Sequence, residues 1–184
     1  MGAETPGSVA DAAIRERVRA LVRDVVDFPQ PGVTFKDITP VLADAAVFAD
    51  AVRWMGAPFA GKADKVAAIE ARGFILGAPV AYALGTGLVP VRKMGKLPAA
   101  TMAEAYLLEY GEATLEMHTD AVAAGDRVLI VDDVIATGGT LLATAAVLRR
   151  GGAEVVGVAS LLEIVALGGR KRLDGLDLHV LLSV

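Results

Sequence analysis

The sequence predicts an α/β fold, a mostly parallel sheet with helices on both of its faces. Three observations predict it. Short strand-length runs alternate with longer helix-length segments, the pattern of repeated βαβ units. The clearest of those runs, Arg127–Val131, is apolar after its arginine, as a strand covered on both faces must be. Hydrophobic residues make up 54% of the 184 residues and charged residues 22%, enough for a sizeable core in one domain.

Ile14, Val18, Leu21, Val22 and Val25 fall on one helical face, with Arg15, Glu16, Arg19 and Arg23 outside it. Pro29 and Pro31 end that helix, so Phe28–Gly32 is expected to be a stiff, extended loop. A second helix is expected from about Asp44 to Met55, stopping before Pro58. Lys65–Glu70 reads as a strand, Gly73–Leu84 as a helix and Leu88–Arg92 as the next strand. Arg127–Val131 is followed by a helix over Gly139–Arg150, closed by Gly151 and Gly152. Val155–Leu161 and Leu178–Leu182 supply two more strands. Met94–Gly111 breaks the alternation, and loops longer than about 12–15 residues are usually lids or binding loops.

Composition removes several kinds of chemistry. There are 18 Lys+Arg against 22 Asp+Glu, a formal charge of −4, so nothing supports gross nucleic-acid binding. An anionic ligand must be held by a local site and not by a global field. The chain has no cysteine, which excludes thiolate chemistry and Cys-based metal sites, and only two histidines, His118 and His179. No basic cluster followed by an apolar core marks the N-terminus as a secretory signal. Gly73–Val91 carries no formal charge, but its glycines and prolines make it a buried helix, a turn and a strand, and not a membrane span. The cytoplasm is the expected compartment, with no membrane partner.

In an open parallel sheet, ligands bind beyond the carboxyl ends of the strands. Asp132, Asp133 and the run Ala136-Thr137-Gly138-Gly139-Thr140 lie at such an end. The glycines let main-chain amides turn inward, and the following helix offers its unpaired N-terminal donors and positive dipole end. Hydroxyls of Thr137 and Thr140 add donors. This is a cradle for a phosphate, and the two carboxylates before it can accept hydrogen bonds from vicinal sugar hydroxyls. A triphosphate-binding P-loop needs a lysine after its last glycine, which is absent. A dinucleotide fingerprint is also absent, since Gly85-Thr86-Gly87 lacks its third glycine. A phospho-acceptor receiver domain would need more chain after Asp133 than remains. A mere tight turn at Gly138-Gly139 leaves the paired aspartates and threonines unexplained.

The segment Val131–Thr140 resembles the phosphoribosyl-pyrophosphate motif of the type I phosphoribosyltransferases. Phe28–Pro40 resembles the purine-recognition segment of the adenine-specific members. Glu70–Phe74, Arg92–Pro98 and Leu108-Glu109-Tyr110-Gly111 continue the likeness in order. The resemblance implies a type I phosphoribosyltransferase-like domain over residues 1–184, with a small hood at about 1–40 and a flexible lid at about 94–111. It implies transfer of the 5-phosphoribosyl group from phosphoribosyl pyrophosphate to adenine N9, giving AMP and pyrophosphate in purine salvage. Glu109, Asp132, Asp133 and Arg72 are then the catalytic residues. Asp132 and Asp133 hold the ribose, while Ala136, Thr137, Gly138, Gly139 and Thr140 hold the 5′-phosphate. Glu70, Ala71, Arg72, Gly73, Arg92, Lys93 and Lys96 serve the pyrophosphate. Val33, Thr34, Phe35 and Lys36 surround adenine, and Tyr110 covers the reacting centre from the lid. Mg²⁺ is implied as cofactor, held by substrate and water with no direct protein ligand. A homodimer is implied as well. Two alternatives stand beside this: the same chemistry on hypoxanthine, guanine or xanthine, and a non-catalytic regulator that binds phosphoribosyl pyrophosphate.

Overall fold

The helical spacing around Ile14 and Val18 is realised in α1 (Val9–Leu21), where both residues are buried. The computed structural model describes residues 9–107 and 112–184, and the chain divides into two compact units, 1–54 and 55–184. In the first unit, α1 ends sooner than the spacing predicts. Val25 belongs instead to β1 (Arg23–Val26), which pairs antiparallel with β2 (Thr34–Asp37). β-branched valines at helical spacing suit a pleated strand equally well, and the available partner decides. Two ion pairs join residues that face each other across the strands, Arg23–Asp37 at 2.5 Å and Lys36–Asp24 at 2.7 Å. Phe28–Gly32 thus lies within a hairpin connection, where Asp27 accepts the Gly32 amide at 2.7 Å. α2 (Thr39–Ala43) and α3 (Ala45–Gly56) follow, the latter capped by the Asp44 carboxylate on the amides of Ala46 and Val47.

The second unit is built on a sheet. β4 (Gly87–Lys93), β3 (Lys65–Ile69), β7 (Arg127–Ile135), β8 (Glu154–Glu163) and β9 (Leu178–Ser183) lie side by side in that order, all parallel. β5 (Thr101–Leu107) and β6 (Glu112–His118) pair antiparallel and extend the sheet beyond β4. Residues 101–107 of the expected lid segment are therefore strand. Its alternation was obscured because Glu104 occupies a position between Met102 and Tyr106 that an apolar residue would otherwise take, and it pairs with Arg150 at 2.8 Å.

From β3 the chain crosses through α4 (Arg72–Leu84) to β4 on one side. From β7 it crosses through α5 (Gly139–Arg150) to β8 on the other. Right-handed crossovers in opposite directions put the two helices on opposite faces. The strands are apolar on both sides for that reason. Ala67, Ile69, Val128 and Ile130 join Leu141, Val147 and Leu148 of α5 in one core. Alternate residues Ala68 and Val131 face Gly77 of α4. A Cβ on Gly77 would lie 2.4 Å from that of Ala68, so α4 lies directly against β3. Gly77→Ala should cost about 1–3 kcal/mol of unfolding free energy by overpacking, measured by denaturant titration.

Candidate functional site

The strand order reverses between β3 and β7, and the two strands have unequal lengths. β3 pairs with β7 only as far as Ala68–Val131, whereas β7 stays paired with β8 to Ile135–Glu163. Asp132 and Asp133 are consequently residues of β7 itself and do not follow its end, as the sequence suggested. Past Val131 the chain on the β3 side has turned away through Glu70 and Ala71 into α4, and their joining peptide is cis. The gap is a crevice of about 380 Å³. Its position obeys the switch-point rule for open parallel sheets.

Ten residues named from the sequence line this crevice: Glu70, Ala71, Arg72, Lys93, Asp132, Asp133, Ala136, Thr137, Gly138 and Thr140. Gly138 has φ +82°, a left-handed conformation that glycine adopts without strain, and directs the chain into α5. The first amides of α5 have no intrahelical acceptor, and its dipole adds positive potential at the same place. Two walls of opposite character therefore face one space, an amide-rich turn and a carboxylate pair.

The carboxylates are costly to keep charged. Asp133 is only 4% exposed. Burial pushes Asp132 well above its ordinary value, and the neighbouring Asp133 charge pushes it further. Burial also raises Asp133, against the pull of Arg72, whose Nε lies 2.7 Å from Asp133 Oδ2. The Asp133 amide donates to Asp132 Oδ1 at 2.9 Å. Gly73 contributes from behind: a Cβ there would lie 2.9 Å from Asp132 Oδ1.

Among the described residues, four expected ones of this unit are not crevice walls: Gly73, Arg92, Lys96 and Gly139. Arg92 donates to the Glu70 carboxylate at 3.0 and 3.2 Å and to the Lys96 carbonyl at 2.8 Å. Those bonds hold the Glu70 carboxyl below its usual range. Glu116 is buried, which alone would raise its pKa, yet amides of Leu97 and Lys96 and the Thr101 hydroxyl bring it below the usual range. Arg92 and Glu116 thus tie down residues 95–97 from two sides. Tyr106, Leu115, Val134 and Leu141 complete the lining and were not foreseen. Period-two alternation carried past Asp132 could have found Val134. Tyr106 and Leu115 needed the β5–β6 register, where they sit diagonally across the hairpin. Glu109 and Tyr110 lie outside the described residues. In the first unit, Phe35 meets Phe28 edge to face at 5.2 Å, and the Lys36 ammonium is engaged by Asp24.

Among the described residues, no three His, Cys, Asp or Glu side chains group to hold a metal ion. A carboxylate pair beside a turn of amide donors instead suits a hydrated divalent cation that arrives on phosphate oxygens. The site's residues fit a Mg²⁺ brought in that way.

Residues 37–179 match the family model described as the phosphoribosyl transferase domain. The adenine phosphoribosyltransferase of Frankia casuarinae is 54% identical over 96% of this chain and 95% of its own length. That of Streptomyces coelicolor is 55% identical over 93% and 97%. The crystal structure of adenine phosphoribosyltransferase from Rhodothermus marinus superposes with a TM-score of 0.90 at 51% identity, covering 94% of this chain and 99% of that one. The Saccharomyces cerevisiae enzyme, solved with adenine and an imino-altritol bisphosphate, superposes at 0.88 with 32% identity, covering 93% and 99%. On these likenesses the chain belongs to the adenine phosphoribosyltransferases of the phosphoribosyl transferase family.

Proposed function

We propose that the chain transfers the 5-phosphoribosyl group of phosphoribosyl pyrophosphate to N9 of adenine, releasing pyrophosphate and forming AMP. The observation that carries it is the crevice at the carboxyl ends of β3 and β7, with the 136–140 turn on one wall and the half-buried Asp132 and buried Asp133 on the other. The amides and threonine hydroxyls take the 5′-phosphate. Asp132 and Asp133 accept hydrogen bonds from the vicinal ribose hydroxyls. Arg72 and Lys93 take up the negative charge that gathers on the departing pyrophosphate. Bound Mg²⁺ neutralises diphosphate charge. No covalent nucleophile is required: positive charge develops on the ribose while the acidic wall faces it.

Adenine recognition falls to Val33, Thr34, Phe35 and Lys36. With the Lys36 ammonium occupied by Asp24, the main chain of this segment is the better reader of the base edge. Glu109 serves as general base toward N9, and Tyr110 excludes water above it. Gly73, Arg92, Lys96 and Gly139 support the phosphate sites from outside the crevice, Arg92 through Glu70. A second copy of the chain is the proposed partner, since α4 leaves Ile75 and Tyr82 exposed on one side, at 47% and 90%. No helix among the described residues is long and apolar enough to cross a membrane. With no excess of positive charge, the cytoplasm and small-molecule substrates are the proposed setting.

Adenine, phosphoribosyl pyrophosphate and Mg²⁺ should yield AMP, and hypoxanthine and guanine should compete poorly in the same assay. Turnover of another purine in place of adenine would refute the specificity. Glu109→Gln should slow turnover by about 10²–10⁴-fold with little change in donor affinity, and an unchanged rate removes the residue from the base role.

The raised aspartates give a pH dependence whose sign can be worked out. Ribose hydroxyls need ionised acceptors, so AMP affinity should fall as pH drops toward the ordinary carboxylate value of 3.8, beginning above it. Folding stability runs the other way. A carboxyl with a raised folded-state pKa takes up its proton first in the native state, so its contribution grows as pH falls toward 3.8. Lowered carboxyls such as Glu70 and Glu116 act on stability in the opposite sense, so the test is the difference between wild type and Asp132→Asn. As pH falls toward 3.8, melting of the ligand-free wild type should gain on that of the variant, while calorimetric titration should show the wild-type AMP affinity falling and the variant's changing less.

A further inference from the structure

Beyond β8 the chain enters α6 (Gly169–Arg172), a single turn that takes no part in the chemistry described above. It lies directly behind the phosphate loop. A Cβ on Gly169 would sit 2.2 Å from the Ala136 carbonyl oxygen and 3.1 Å from the Gly138 amide nitrogen. Conversely, a Cβ on Gly138 would sit 3.0 Å from the Gly169 carbonyl oxygen. Two main chains approach so closely only where neither residue carries a side chain. Arg172 adds a long contact, Nη1 to the Thr137 carbonyl at 3.4 Å.

The turn is clamped on its far side. Glu163, the last residue of β8, is 5% exposed and accepts Arg170 Nε at 2.9 Å and Nη2 at 2.7 Å. The Ser183 hydroxyl donates to the same carboxylate at 3.1 Å. Leu173 is fully buried just after α6, with its Cγ 3.3 Å from where a Gly138 Cβ would stand. Glu163 is itself registered opposite Ile135, the residue immediately before the loop. The frame closes on itself: β7, β8, Glu163, Arg170, α6 and back to the loop. Gly138 has no side chain with which to cap α5, so the loop's shape is imposed from behind.

We infer that Gly169 and the Glu163–Arg170 pair are positioning residues for the 5′-phosphate site, holding the main chain of Ala136–Gly138 so that its amides face the crevice. This rests on assigning 136–140 as the phosphate cradle. None of the three touches substrate. Their effect is preorganisation, since donors already fixed toward an anion need no reorganisation when it arrives. An alanine at Gly169 cannot be relieved outward, because Leu173 and the Arg170 clamp hold α6, so the loop has to yield.

The test compares wild type with Gly169→Ala and Glu163→Gln, the latter close in size and able to carry the test if the former does not fold. Steady-state kinetics with each substrate are combined with calorimetric titration by AMP and by adenosine, and with thermal melting. Wild type should bind AMP far more tightly than adenosine. Gly169→Ala should raise the KM for phosphoribosyl pyrophosphate and the AMP Kd by about 10–100-fold, the loss expected for misaligned hydrogen bonds to a charged group. Its KM for adenine should stay unchanged. Glu163→Gln should shift the same constants, in the same direction, by less. Folded variants with wild-type donor KM and AMP Kd overturn the inference, as does equal weakening toward both substrates together with a lowered melting temperature. If wild type itself does not prefer AMP to adenosine, the phosphate-cradle assignment falls first and takes this inference with it.

Discussion

The second unit is organised around two adjacent carboxylates, one buried and one half-buried. A buried aspartate is expensive unless its charge is matched, and two neighbouring ones compound the cost. Arg72 offsets part of it through Asp133, and the Asp133 amide offsets part through Asp132. The remainder appears as raised proton affinity. Such a pair is unfavourable for an empty fold and suits a ligand that brings hydroxyl donors and developing positive charge. Arg72 opens α4 and the aspartates lie in β7, so the strand order that brings those elements together is what makes the site.

The proposed anion binding in an acidic chain rests on the same geometry. A net charge of −4 gives no long-range attraction for a polyphosphate. The positive potential is instead local, from the amides at the start of α5, from Arg72 and Lys93, and from the basic turn at Arg170–Arg172 behind the loop. The amides act at short range, so salt screens them less than it screens the exposed charges of Lys93 and Arg170–Arg172. They also act directionally. On the proposed reading, a phosphate is held where the amides converge, and its ribose is thereby carried to the carboxylates.

Much of the second unit was legible in the sequence because both cues there are local. Arg127–Val131 announces a buried strand by composition, and Thr137–Thr140 announces a helix start by its glycines and hydroxyls. Boundaries were less legible. β7 runs on through Asp132 and Asp133 to Ile135, since β8 continues to offer hydrogen-bond partners after β3 has stopped. Whether a polar residue ends a strand depends on the neighbour, and no local pattern records the neighbour. The β5–β6 hairpin was illegible for a related reason. Its apolar residues are interrupted by Glu104 and Glu116, which are satisfied by Arg150 and by the 95–97 amides, groups distant in sequence. Val25 shows the converse case, a helical spacing overridden by a strand partner.

Glycine placement links these observations. Gly73, Gly77 and Gly169 stand where α4, β3, β7, α6 and the phosphate loop press main chain against main chain or against Asp132. In sequence, each looks like any other glycine in or near a helix, where it costs roughly 0.5–1 kcal/mol relative to alanine. In the structure, that cost secures close approach: α4 lies directly on β3, Asp132 keeps its rotamer, and the loop keeps its shape. A phosphate site built from main-chain amides has few side chains of its own to define it. Its geometry must come from the backbones packed behind it, and those can reach it only where a Cβ is missing.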